Sequence, residues 1–315
     1  YGFTAMRKPL RPPIDPLTRV HPDAVYQRVY GAKVIERIDD AIDAGIAEKR
    51  PALFLVVGPS GGGRTSVTNL ILSRFAAHGQ VNIPPANLIV PEGTNPDHDK
   101  VYIYRNWMKA LQDEVSFRRI ALPKQLATDF DAEIARNDPS VMAPGFRGVL
   151  RQVAEVLRQH PQPHAFACRL ENIPTLEFVT TASEMFKGMH AACVFTALDN
   201  STHQAELIEP FGKHFDNEAC CLIRLPRSQG ESAARMIKER WEIESTVPLP
   251  FESSTLARGF GMEQPIGRIL VTVERMLKFK FTQHGEGDPY PTDPRLGFTD
   301  GEFDGLMAAV DNADD

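Results

Sequence analysis

The apolar residues of the chain follow two rhythms. In "HPDAVYQRVYGAKVIERIDDAIDAGIAEKR" the residues Ala24, Val25, Val29, Val34, Ile35, Ile38, Ile42 and Ile46 recur at three and four. That spacing places them on one side of a helix running from about Pro22 to Lys49. "PALFLVV" then stays apolar without alternation up to a glycine loop, which predicts a strand buried on both faces of a parallel sheet. Runs of the same kind return in "AFACRL", "ACVFTAL" and "ACCLIRL", and a shorter one in "ANLIV". Helical stretches separate them. "RTSVTNLILSRFAAHG" closes on Gly79 as a C-cap. "PEGTNPDHDK" reads as a loop, and "VYIYRNWMKALQDEVSFRR" as a strand end running into a helix. "QLATDFDAEIAR", "GFRGVLRQVAEVLRQH", "TLEFVTTASEMFKGM" and the stretch from Gln204 to Phe215 read as further helices. Strands alternating with helices predict an α/β fold, a doubly wound parallel sheet of five strands.

After about residue 226 the strand-like runs stop. "SQGESAARMIKERWEI" is helical in pattern, with Ser228 as its N-cap and Glu231 three residues on. "ESSTLARGF" and "QPIGRILVTVERMLKF" predict two more helices, and together these make a small helical lid. The first 22 residues carry five prolines and read as an extended arm. The chain therefore divides into a Pro-rich arm (1–22), an αβα domain (23–226), a helical lid (227–282) and an acidic flexible tail with at most one short helix (283–315). No internal repeat is visible.

Composition narrows the classes. With 42% hydrophobic and 24% charged residues over 315 positions, the chain is that of a globular protein with a sizeable core. A net charge of −6 gives no indication of nucleic acid as a general partner. The basic helix with Arg147, Arg151 and Arg158 reads as a solvated face. No apolar run approaches the roughly 20 residues of a membrane span. Cys168, Cys193, Cys220 and Cys221 form no C-x-x-C pair and read as free thiols in a reducing compartment, which predicts a cytoplasmic protein. The nine histidines show no ligand spacing. Trp107 and Trp241 are expected in the core. Arg169, inside an apolar strand, is expected to form an ion pair with an acid across the sheet. Arg224 and Arg227, near the end of the fifth strand, read as a solvated rim, with a phosphate role left open.

The chemistry is concentrated in "VVGPSGGGRTS". Gly58, Gly63, Arg64 and Thr65 match G-x-x-x-x-G-K-[ST] except for the lysine. A strand precedes the loop and a helix follows it, the context in which backbone N–H groups cradle phosphates at a helix N-terminus. Gly58, Gly61, Gly62, Gly63, Arg64, Thr65 and Ser66 are the predicted nucleotide-binding residues. Arginine is planar and bulkier than the compact ammonium the loop is shaped for; it neutralises phosphate charge but reaches it differently.

The order of these parts resembles the AAA+ fold, with the related STAND and origin-recognition-type ATPases, over residues 24 to 282. The resemblance implies ATP or ADP with Mg²⁺ as ligand, held at the metal by Thr65 and Glu171. It places Glu171 and Asn172 at the Walker B position, Asn200 at sensor 1 and Arg268 at sensor 2. Three parts depart from that pattern. Arg64 replaces the loop lysine, Asn172 replaces the acid that would accept a proton from water, and only Lys213 and His214 stand where ring-forming members keep a trans arginine. A second register, with "CVFTALDN" as Walker B and Asp199 on the metal, stays open. The implied role is an interaction or switch module with weak or absent hydrolysis, engaging protein partners through arm, lid or tail. An active ATPase using Glu171 or Glu92 as base, a scaffold with an empty loop, and a small-molecule kinase remain as alternatives. The choice between ATP, ADP and GTP, the oligomeric state, and whether the chain belongs to a longer one also stay open.

Overall fold

The computed structural model describes residues 30–79, 86–88, 96–161, 164–171, 173, 175–244, 249–283 and 299–311. The Pro-rich arm, Glu92 and Asn172 lie outside them.

The architecture is a parallel sheet between two layers of helices, with a helical lobe after the last strand. Helix α1 (Ala32–Ala47) leads into β1 (Ala52–Gly58), the phosphate-type loop and α2 (Arg64–Gly79). Tyr30 is helical and Gly31, at φ +93°, separates it from α1, so the helix expected from Pro22 to Lys49 is interrupted at Gly31. A two-residue strand β2 (Ala86–Asn87) is followed by α3 (Pro96–Phe117), α4 (Lys124–Ile134) and α5 (Pro139–Gln159). Helix α3 therefore includes "VYIY", expected as a strand end, and part of "PEGTNPDHDK", expected as loop. Then come β3 (Phe166–Leu170), α6 (Leu176–Met185) and β4 (Ala191–Leu198). Helix α7 is built in three pieces: Ser201–His203, a π turn at Gln204–Ile208, and Glu209–His214. Strand β5 (Cys220–Arg224) closes the sheet.

The strands lie in the order β2-β3-β4-β1-β5, every pair parallel. Parallel neighbours need crossovers, and the helices between them supply these. Alternation explains the continuous apolar runs. Leu53, Leu55 and Val57 of β1 face the layer of α3 to α7, as do Cys168 of β3 and Cys193 and Phe195 of β4. Phe54 and Val56 of β1 face α1 and α2, as do Ala167 of β3 and Val194 of β4. All seven positions of β1 are buried, so the strand carrying the loop is the best supported element of the sheet. Trp107 and Trp241 are both in cores, the first under α3 and the second in the lobe.

The lobe comprises α8 (Gly230–Glu244), α9 (Ser253–Gly259), α10 (Ile266–Gln283) and α11 (Asp300–Asp311). Its core gathers Ile237, Trp241, Leu256, Phe260, Ile269, Val273 and Phe303. Helix α11 falls in the stretch expected to be a flexible acidic tail; instead Phe303 and Leu306 are buried in the lobe. Thr255 donates to Asp300 at 2.6 Å, and Arg258 pairs with Asp300 and Asp304 at 3.3 and 3.1 Å. Ser228 is not the expected cap of α8. Its backbone pairs with Gln264 in an antiparallel bridge, and its hydroxyl bonds Ser232 Oγ.

Candidate functional site

The loop between β1 and α2 sits where four segments converge. Gly58 ends β1 with neighbours on both sides: Asp199 N–H donates to its carbonyl at 3.3 Å, and a Cβ there would meet Leu225 at 3.0 Å. Gly61 and Gly63 have φ of +69° and +92°, which L side chains rarely adopt, so glycine is required to curl the loop. Gly62 N–H donates to the Pro59 carbonyl at 2.9 Å, and Val67 N–H to Gly63 at 3.1 Å, starting α2.

Arg64 opens α2 and is half-buried. Burial pushes its pKa below the ordinary arginine value, and the negative charge of Glu171 opposes that shift. The cation at the loop's lysine position and the acid at the end of β3 are thus electrostatic partners. Glu171 and Thr65 are both exposed. Among the described residues no group of three or more His, Cys, Asp or Glu could hold a metal ion.

The other predicted positions divide. Asn200 follows β4, and its side chain caps α7 by accepting from His203 N–H at 2.8 Å. Asp199, next to it, reaches the loop through its backbone N–H, and its side chain is exposed. Arg268 is exposed on the first turn of α10, and its amide nitrogen lies 3.8 Å from where a Gly61 Cβ would stand. Loop, Glu171 and the start of α10 are therefore gathered at one end of the sheet. Lys213 and His214 are exposed near the end of α7. Arg224 donates to Gln204 at 3.1 Å, and Arg227 is exposed beside a small cleft with Ser232, Arg235 and Ile266. Arg169 bonds the amide of Asn69 on α2, so the expected acid partner is replaced by a neutral one. The guanidinium thus meets a dipole rather than a charge inside the sheet, and among the described residues its Nε is buried without a hydrogen-bond partner. On α5, Arg147 pairs with Glu184 at 3.0 Å, Arg158 pairs with Glu155, and Arg151 bonds the Lys187 carbonyl. The basic face is spent on internal contacts.

Two contacts at the loop have no forerunner in the pattern analysis. The Tyr30 hydroxyl lies 3.0 Å from where a Cβ on Gly63 would stand. Burial raises its pKa to about 12, against the lowering charge of Arg240 on α8. Gly267, in the first turn of α10, donates its N–H to the Gly61 carbonyl at 2.6 Å. A Cβ on Gly267 would stand 2.5 Å from that oxygen. The one available signal was a glycine inside an otherwise helical stretch, "PIGRIL", which costs helix stability and calls for a packing reason.

No family model and no curated protein sequence matches the chain. Solved structures do resemble it. The ORC2 protein of Aeropyrum pernix in its ADPNP–ADP complexes superposes with a TM-score of 0.55 at 10% identity, covering 89% of this chain and 68% of that one. Its ADP form gives 0.54 at 11% identity with the same coverage. At such identities the likeness is one of fold: the chain has an AAA+-type ATPase fold.

Proposed function

We propose that this AAA+-type chain is a STAND-like P-loop module that binds a nucleotide between its loop and helical lid, and hydrolyses it weakly or not at all. The observation that carries the reading is Arg64. It occupies the position of the catalytic lysine, half-buried, with its charge engaged by Glu171 at the Walker B position. An arginine there neutralises a polyphosphate but lacks the compact reach of lysine. The residue after Glu171 is Asn172, whose amide accepts no proton from an attacking water.

The residues fit a nucleoside polyphosphate. Two glycines in left-handed conformations curl the loop, and the N-terminus of the 16-residue helix α2 follows it directly. The amides at that end face where an anion is stabilised. Mg²⁺, where bound, would be held by the Thr65 hydroxyl and Glu171 and otherwise by the phosphates themselves, a usual arrangement for this ion. It would supply charge neutralisation. Arg64 and the loop amides hold the phosphates, and α10 with Arg268 covers them from the lid. Structures of the Aeropyrum pernix ORC2 protein with ADPNP and ADP support a nucleotide in a fold of this type.

An active, Mg²⁺-dependent ATPase is the second reading, favoured by the exposed Glu171 carboxylate beside Arg64, which is open to water as a base must be. Calorimetric titration with ATP, ADP and GTP, with and without Mg²⁺, beside a phosphate-release assay on the same sample, separates the readings. Binding without release supports the switch. Steady release that dies with Thr65→Ala supports the ATPase. No binding by any nucleotide leaves a scaffold with a vestigial loop. In the switch reading protein partners engage the arm, the lid or the tail, and the bound ligand sets the lid position by mass action.

A further inference from the structure

The peptide unit joining Gly61 to Gly62 is tied at both ends. Its carbonyl accepts from Gly267 N–H on α10 at 2.6 Å, and its N–H donates to the Pro59 carbonyl at 2.9 Å. Peptide planes are rigid, so fixing both polar ends fixes its rotation about the chain. The partner is itself fixed. Ile266, directly before Gly267, is buried in the lobe core. Gln264 is held by the two-way bridge to Ser228, at 2.9 and 3.0 Å, in the segment leaving β5. The approach leaves no room for side chains. A Cβ on Gly267 would sit 2.5 Å from the Gly61 oxygen and 3.1 Å from its Cα, and Gly61 needs its positive φ. Backbone of the lid thus touches backbone of the loop directly.

We infer that Gly61 and Gly267 form a latch that locks the lid onto the loop and gates the exchange of phosphate-bearing ligands there. The gating rests on the nucleotide reading above; the latch does not. In the latched state Gly62 N–H is committed to Pro59, and the anion is left to the amides that follow. Removing or admitting a ligand requires the start of α10 to lift away from the loop, which costs the Gly61–Gly267 hydrogen bond. Alanine at position 267 keeps a good helix former in α10 while forbidding the contact.

The test has two arms. In the ligand-free protein, hydrogen exchange followed by NMR is expected to show the Gly62 and Gly267 amides protected, and both unprotected in Gly267→Ala. Rapid exchange of these amides in the unaltered protein overturns the latch. In the second arm, release of fluorescent N-methylanthraniloyl-ADP is followed after mixing with excess ADP. Gly267→Ala is expected to speed release about fivefold, the factor one net hydrogen bond carries. Gly148→Ala on α5, where an added Cβ meets nothing within 4 Å, is expected to leave the rate unchanged. Protected amides with an unchanged release rate overturn the gating. Protected amides with no binding of the fluorescent ADP overturn the nucleotide reading and the gating together, and leave the contact as a structural joint.

Discussion

Arg64 stands at the lysine position of an otherwise recognisable phosphate-loop pattern, with Glu171 as its electrostatic partner. In the proposed switch its guanidinium meets the phosphates, and the negative charge of Glu171, which opposes the lowering of its pKa by burial, faces it from the end of β3. Arg64→Ala is expected to weaken ADP binding tenfold or more in calorimetry, since hydrogen bonds to charged groups are worth roughly 1.5–3 kcal/mol. Arg64→Lys combined with Asn172→Glu is expected to give Mg²⁺-dependent phosphate release above the level of the unaltered protein, read in a coupled assay. Tyr30 makes a pH prediction. Its folded pKa of about 12 lies above the ordinary tyrosine value of 10, so the fold favours the neutral phenol. That contribution is complete below pH 10 and is lost as the pH rises toward 12. Urea midpoints between pH 9 and 11.5 should fall more steeply for the unaltered protein than for Tyr30→Phe. Gly58, Gly63, Arg64 and Thr65 were legible because the motif is local. Tyr30 and Gly267 were not, because each acts on a residue more than 30 positions away in sequence, and a lone tyrosine or glycine carries no spacing that says so.

Among the elements, the apolar runs of β1, β3, β4 and β5 form strands as expected, because parallel strands covered on both faces leave no polar alternation to disguise them, whereas "ANLIV" gives strand only at Ala86–Asn87. Helix α3 was misread at its start. "PDHDK" is polar and opens with proline, a turn signal that equally suits the first turn of a helix. The irregularity of α7 also has a chemical cause. Pro210 has no N–H for the Glu206 carbonyl, and the hydrogen-bond ladder widens to Glu209 N–H donating to Gln204 just before it. The same helix begins on Asn200. Its amide spends its oxygen on His203 N–H, so Asn200→Ala is expected to cost about 1 kcal/mol of stability in ligand-free protein, measured by denaturant unfolding. A residue serving only as a sensor for bound phosphate would show no such loss. In the lobe, Phe303 fills a socket edged by Phe251 and Phe260 and closed by Gly259, where a Cβ would collide with its ring. Phe303→Ala is expected to cost about 3–5 kcal/mol, read as an early unfolding transition of the lobe.

At the scale of the molecule, the order β2-β3-β4-β1-β5 places the loop's strand between two strands that follow it by well over a hundred residues. The alternation of strands and helices announced a parallel sheet, but no local signal specifies which strand lies beside which. The same holds for α11. Its acidic composition suggested solvent, and only the buried Phe303 and Leu306 reveal that two positions outweigh the rest. A chain ending before Asp300 is expected to keep its sheet yet bind the dye ANS, because the socket at Phe251 and Phe260 would then face water.

The seating of Phe303 also sets a schedule for the newborn chain. It follows every other aromatic residue of that core, Trp241, Phe251 and Phe260, and the lobe core closes around it. As the chain leaves the ribosome, β1 must wait for β4 and β5 before its hydrogen bonds are complete, and the lobe waits longer still. Through that interval the aromatic socket is open. The stage of synthesis just before residue 303 emerges is therefore the one at which a chaperone that binds exposed aromatic surface would have most to hold.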